Sequence, residues 1–342
     1  MRKTALLLIV FQFCGHAQAA PWQNCLQGAV SVPLEHYNAP PSMLGSIDGL
    51  PARFFLAPQA SDTFVFANHN VTFLGSAPED ATSETGEATV FVKMLSTVNI
   101  GALTLKNYTA YVADYSAPNN ITPALQVELG DHFLSHISTL IDRSSRSVTF
   151  FRYDDEKCPS LGDLLPSPKI KLHLYQDHYP LSNTVLVELN GHPVRMKINL
   201  SSNRTLIQKD TARAIGIASE PDKDDPVRIN AGNTVGGYLH TFDTLKIGSF
   251  LLPHPKIVIA STIAYDELGT DALNHFHILL DPLHATIWLS PASDPSLTKE
   301  PPLPWTPLHI RKYQAAVHDK VTAPKDPVHS GNDMLKTAGP DR

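Results

Sequence analysis

A chain of 342 residues, 42% hydrophobic and 18% charged, has the length and composition of two globular domains, each able to bury its own core, and not those of a disordered segment or a polytopic transporter. The formal charge of −6, with no long basic run, argues against nucleic acid or an anionic membrane as partner.

Residues 1–19 read as a signal peptide: Arg2 and Lys3 precede an apolar stretch at 5–13, and Ala17-Gln18-Ala19 offers a small-x-small cleavage site. The apolar run is short for a membrane span, and Cys14 follows Gln12-Phe13 rather than a small residue, so neither stable membrane insertion nor a lipid anchor is expected. The expectation is a monomer, periplasmic or secreted after cleavage near Ala19. Two cysteines then remain, Cys25 and Cys158, and an oxidising compartment predicts a disulfide between them; two unrelated buried thiols are the alternative.

Residues 21–48 are rich in Pro, Ser and Asn, with an apolar alternation near 30–34 that suits an entry strand. Strand composition follows at 52–57, 63–66, 88–94, 95–100 and 108–113, with a turn at 58–62 and a tight hairpin across 100–105. A short helix is predicted to open near Gly130, followed by strands at 137–142 and 147–151 joined by a turn. Residues 154–168 have the Pro, Gly and charge content of a linker. Beyond residue 292 the composition turns to Pro, Ser, Lys and Asp, so 293–342 are expected to be a disordered tail, with 305–313 a candidate strand.

The stretch between repeats itself. Residues 49–65, GLPARFFLAPQASDTFV, and 191–207, GHPVRMKINLSSNRTLI, share the frame Gly-x-Pro-x-Arg, an apolar run, a small-residue turn and a Thr with two hydrophobic residues behind it. Ile247-Gly248 answers Ile100-Gly101, Leu268-Gly269 answers Leu129-Gly130, and Asp281 answers Asp142. Landmarks recurring in one order across some 140 residues imply two copies of a whole domain, at 21–153 and 169–292.

Each copy resembles a retropepsin-type aspartic protease lobe, with a strand ending in a catalytic loop, a flap hairpin, an Ile-Gly hairpin and a late hydrophobic-Gly-x-Asp-x-Leu segment. The quoted segments LNGHPVRMKI, RTLI, LKIGSFLL and LGTDALNHFHILLD carry that resemblance. Two such lobes on one chain are similar to the pepsin arrangement. The resemblance implies a mainly β, bilobal pepsin-like acid-protease fold made of two retropepsin-like β-barrel lobes with short helices. It also implies a chemistry in which one Asp from each lobe, set in Asp-Thr/Ser-Gly, shares a proton with the other and activates a water.

In register, Ala57-Pro58-Gln59 and Asn199-Leu200-Ser201 stand where the two triplets belong. Ala57 has no titratable group, and the amide of Asn199 is no general base near neutral pH. Asp62, five residues past Ala57, is matched by Arg204, while Asp210-Thr211 suits a helix start and Asp243-Thr244 lies beside the flap hairpin. No other choice places one carboxylate per lobe at equivalent points of the triplet loops. Strand alternation puts Val194, Met196, Ile198 and Leu200 on one face and Arg195, Lys197 and Asn199 on the other; Lys197 beside the cleft and a solvated Arg195/Lys197 face are both open readings.

Ser201 and Ser202 in the loop, and Gly232, Asn233, Gly236 and Gly237 in the flap-like hairpin, are the candidate binding residues, with plain turns as the alternative. His132 and His136 stand four apart and His275 and His277 two apart, but at matching places in the two copies, so neither metal nor cofactor is expected. Gly-x-Ser-x-Gly does not occur. Three functional readings follow: an exported protein without catalysis that takes an extended peptide or envelope protein into the interlobe cleft, an aspartic-type endopeptidase with a non-standard site, or a structural envelope component.

Overall fold

The structure, a computed structural model, describes residues 25–35, 40–68, 70–71, 73, 77–83, 86–113, 122–158, 160–175, 183–218, 225–229 and 234–292. The expected signal peptide, Cys14, Gly232, Asn233, the 293–342 tail and its candidate strand lie outside these residues.

The seam between the two copies is a sheet. Among the described residues it has six strands, in the order Leu26–Pro33, Ser147–Tyr153, Ser138–Asp142, Phe276–Asp281, Thr286–Pro291 and Ile170–His173. Each copy supplies three of them, and the central antiparallel pair joins Leu140 to Leu279, which are equivalent positions of the two copies. A pseudo-twofold axis therefore passes through that pair. Ile141, Ile278 and Leu279 are fully buried there, each worth about 1.5–3 kcal/mol of apolar burial. The disulfide Cys25–Cys158 lies at the edge of this sheet. It packs in a small apolar cluster with Phe151, Leu161, Leu165 and Leu279. Within the stretch of linker composition lies a 3-10 helix, Leu161–Leu164, and Leu161 and Leu165 are buried.

Each copy then builds its own sheet. In the first, the strand order is Ser42–Ile47, Leu50–Leu56, Leu125–Leu129, Phe64–Ala67, Leu103–Ala113, Gly86–Ile100 and Ala77–Ser83; Ser42–Ile47 also pairs with Gly86–Ile100, which closes the sheet on itself. The segments at 88–94 and 95–100 form one continuous strand. The hairpin partner Ala77–Ser83, rich in Pro, Glu, Asp and Ser, had no strand signature to read. In the second copy, nine strands among the described residues form the corresponding sheet, with the hairpin Asp225–Arg228 and Thr234–Thr241 at one end and Thr244–Ile247 with Phe250–Pro253 at the other. Among the described residues no helix is long and apolar enough to cross a membrane.

The repeated frame opens on a hairpin in both copies. Asp48-Gly49 and Asn190-Gly191 all have positive φ, the two-residue turn that Asp-Gly and Asn-Gly accommodate with least strain. Further on, a different glycine pair is fixed by crowding. A Cβ on Gly130 would stand 2.0 Å from the carbonyl oxygen of Asp62, and one on Gly269 would stand 2.2 Å from that of Arg204. Gly130→Ala and Gly269→Ala are each expected to destabilise the fold by about 2–3 kcal/mol, because backbone must give way on both sides. Urea titration of the three variants checks this, and Gly28→Ala, with open space around its Cβ, should be close to neutral.

Candidate active-site position between the lobes

The two triplet loops are held in the same way. Leu50–Leu56 runs parallel to Leu125–Leu129, and His192–Ile198 runs parallel to Glu267–Leu268, so each loop leaves its strand beside a Leu-Gly segment. The Ala57 N–H donates to the Leu129 carbonyl at 2.9 Å, and the Asn199 N–H donates to the Leu268 carbonyl at 3.0 Å. Farther along, the Asp131 N–H donates to the Ala60 carbonyl at 2.7 Å, and the Thr270 N–H to the Ser202 carbonyl at 2.9 Å. These bonds recur at matching positions because the backbone path of the loop is the same in both copies. The Thr after each loop is braced differently: Thr63 Oγ1 meets the Tyr108 hydroxyl at 2.7 Å, whereas Thr205 gives both its N–H and its hydroxyl to the buried carboxylate of Asp271, at 3.0 and 2.6 Å. Burial lifts the Asp271 carboxyl above the usual range, opposed first by the Thr205 bonds.

The loops meet. Gln59 Nε2 donates to Ser201 Oγ at 3.1 Å across the seam, and Asn183 Nδ2 donates to the Pro58 carbonyl at 2.7 Å. Gln59 and Ser201 are the third residues of the two triplets, so the register read from the repeat brings the triplet loops into contact.

The chemistry at the first residues is not that of a carboxylate dyad. Ala57 and Asn199 are both fully buried. Asn199 Oδ1 accepts from the Ser201 N–H at 3.0 Å, the Ser201 hydroxyl at 3.0 Å and the Ser202 N–H at 2.9 Å, while its Nδ2 donates to Glu267 Oε2 at 2.7 Å. A directed chain results: the Gln59 amide donates to Ser201, Ser201 to Asn199, and Asn199 to the Glu267 carboxylate. An amide at the centre of this chain, donating on one side and accepting on the other, is what an ionised Asp could not be. Gln59 Oε1, by contrast, is buried with no hydrogen-bond partner among the described residues.

Glu267 escaped the sequence reading although a signal was present. Glu128-Leu129-Gly130 and Glu267-Leu268-Gly269 are the same tripeptide in the two copies, one residue N-terminal to the landmark used for alignment. Glu267 is 1% exposed and pairs in the parallel ladder with Lys197, itself 5% exposed, whose Nζ lies 3.2 Å from the Tyr265 ring centroid. The solvated-face reading therefore holds for Arg195, which is exposed and stacks over Tyr175, but not for Lys197. Strand alternation identified the face; only the fold showed that Asn199, Glu267 and Tyr265 cover one end of it.

The other candidates fall into place around this centre. Ser201 and Ser202 are buried, and the Ser202 hydroxyl, 2.9 Å from the Arg204 carbonyl and 3.2 Å from that of Ile229, ties the loop together; both serve as braces rather than as an exposed binding surface. Gly237 lies where a Cβ would meet the Ile259 carbonyl at 2.4 Å, and the Gly236 carbonyl accepts from Ser261, so both pack the hairpin against its neighbouring strand. Asp210 sits in the first turn of the helix Lys209–Ala214, and Asp243 in the turn before Thr244–Ile247, both remote in register from the loops. Asp131 does reach the seam, 3.5 Å from Asn183 Nδ2; burial raises its carboxyl above the usual range, and the Asn183 bond opposes this. His132 and His136 pack edge to face, His275 lies against Phe250, and His277 Nδ1 lies 2.9 Å from Asp142 Oδ1. Among the described residues no three His, Cys, Asp or Glu side chains are grouped to hold a metal ion.

Among known proteins, this chain is similar to aspartic proteases. The family model described as gag-polyprotein putative aspartyl protease matches residues 185–275, which span the second loop and its Leu-Gly segment. A retropepsin-like aspartic protease from Rickettsia conorii is similar at 14% identity over 35% of this chain and 88% of its own, with a TM-score of 0.27. The aspartic proteinase from Irpex lacteus is similar at 11% identity over 80% of this chain and 99% of its own, with a TM-score of 0.47. No curated protein matches the chain.

Proposed function

We propose that this chain, an aspartic-protease-like protein of the retropepsin-like and pepsin-like family, is exported to the cell envelope and binds an extended peptide or protein segment between its lobes without cleaving it. One observation carries the reading. At the two matched loop positions stand Ala57 and an Asn199 whose amide is engaged on both sides, so the pair that would share a proton and activate water is lacking. The loops, their Leu-Gly braces and the pseudo-twofold seam are nonetheless intact. Sheets with neighbouring hairpins bind extended chains by offering unpaired backbone groups, and that mode needs no dyad.

The test uses the purified mature chain in two assays. Saturable binding on an array of extended peptides, without cleavage of a denatured protein library at acid or neutral pH, is the expected result. Acid-pH cleavage would overturn the non-catalytic reading, and the absence of any saturable binding would leave a structural envelope role in its place.

A further inference from the structure

The turns that close the last hairpin of each copy are alike in backbone and different in chemistry. Asp142 pairs with Ser147 across the first turn and Asp281 with Thr286 across the second, and the residue before the returning strand, Arg146 or Ala285, has positive φ in both. The residue three past the acid caps it each time: Ser145 Oγ donates to Asp142 Oδ2 at 2.7 Å, and His284 Nδ1 lies 2.8 Å from Asp281 Oδ2. A serine completes that task with one proton. His284 carries a second ring nitrogen, and its Nε2 lies 3.1 Å from Asp155 Oδ1, in the segment that leaves the first copy. Tyr153, at the end of the preceding strand, has its hydroxyl 2.9 Å from both Asp281 Oδ1 and His284 Nδ1, and its ring stacks on the imidazole at 6.3 Å. Among the described residues, Asp281, Tyr153 and Asp155 are the titratable groups that face His284.

The proton count decides what this cluster does. Only one nitrogen of a neutral imidazole donates, while the other presents a lone pair; an imidazolium donates from both. Between two carboxylates, the neutral ring therefore turns a lone pair on one of them. The Asp281 side chain is 4% exposed and that of Asp155 is 53% exposed, so the buried acid keeps its donor and water takes over the exposed one. We propose that His284 is a proton-operated latch across the seam: protonated, it fastens the closing turn of the second copy to Asp155 beside Cys158, and neutral, it keeps Asp281 and releases Asp155. The inference stands apart from the peptide-binding reading. Release is local, because the Asp154 N–H still donates to the Cys25 carbonyl at 2.8 Å and the Cys158 N–H to the Asp154 carbonyl at 3.0 Å. The bond to Asp281 raises the His284 pKa above its ordinary value, burial opposes this, and the charges of Asp281 and Asp155 add to the rise. A raised folded value means that the latch stabilises in full below the unfolded value of about 6.5 and that its contribution is lost as pH rises through the folded value.

Two measurements on the full chain test the latch. NMR titration should place the His284 midpoint above that of a His in an unstructured peptide, and D155N should lower it. Hydrogen exchange, corrected for the intrinsic rate, should find the Asp154 and Cys158 amides about two- to fivefold less protected above the midpoint than below it, the size expected of a solvent-accessible ion pair. That step should vanish in H284Q, which leaves His277, against Asp142 in the same sheet, as an internal control. Should H284Q fail to fold, D155N, at an exposed turn position, should flatten the step in its place. A His284 midpoint at or below that of the peptide, an unaltered chain without the step, or an equal step in the variant would overturn the latch.

Discussion

Asn199→Asp alone is expected to give no proteolysis, and it will cost the protein stability that returns on acidification. The amide nitrogen of Asn199 lies 2.7 Å from Glu267 Oε2 in a site with neither residue appreciably exposed. A carboxyl there removes the donor and sets two acids against each other where they cannot both ionise. In the unfolded chain both titrate near about pH 4; in the fold one must retain its proton, so its pKa is raised. The cost is therefore absent below the unfolded value, appears as pH rises, and is complete above the raised folded value, at about 3 kcal/mol near neutrality. Urea unfolding of N199D at acid and neutral pH reads this directly. Adding Glu267→Gln, which returns a donor, should remove most of the pH dependence; an unchanged neutral-pH loss in that double variant would show that the Asn199–Glu267 contact is not its source. On the activity side, neither A57D nor N199D alone should cleave a denatured library, since each leaves one loop without an acid. Onset of cleavage is expected only when both are present.

Removal of the Cys25–Cys158 bridge is the second large effect. It closes a loop across a sequence separation of 133 residues, for which the chain-entropy account gives about 5 kcal/mol, with about 3–5 kcal/mol expected once unfolded-state structure is allowed for. The location adds to this. The bridge ties the start of the edge strand Leu26–Pro33 to the segment entering the 3-10 helix, and both pack on Leu279 at the pseudo-twofold axis. Reduction, or C25S/C158S, should lower the unfolding free energy read from urea titration by the stated amount and increase hydrogen exchange first in that strand. A bridge-free protein with an unshifted midpoint would refute the assignment.

The two effects bear on different parts of the molecule. The bridge secures the seam that holds the lobes together, whereas the Asn199–Glu267 contact secures one loop within it. If the cleft binds peptide as proposed, the first variant should weaken binding by loosening the seam, and the second should do so only above the pH at which its carboxyls repel.

The duplication, the loop positions Ala57 and Asn199, the pairing of the cysteines and the alternation of the strand ending at Ile198 were legible in the sequence. Each rests on local periodicity or on a repeat of residue types, and the backbone of a strand or tight turn is determined over such short spans. What the sequence left open was decided by contacts between segments far apart in the chain. Lys197 is buried because Tyr265 comes to lie over it, and Asn199 is saturated because Glu267, 68 positions away, arrives in the adjoining ladder. Residues 154–168 look like a linker until the disulfide and Leu279 give their leucines something to bury against. The strand Ala77–Ser83 exists only because Gly86–Ile100 is long enough to carry it. Local pattern sets which face a side chain takes; the burial and the partner that give that side chain its chemistry come from long-range packing, where no single stretch of sequence holds the information.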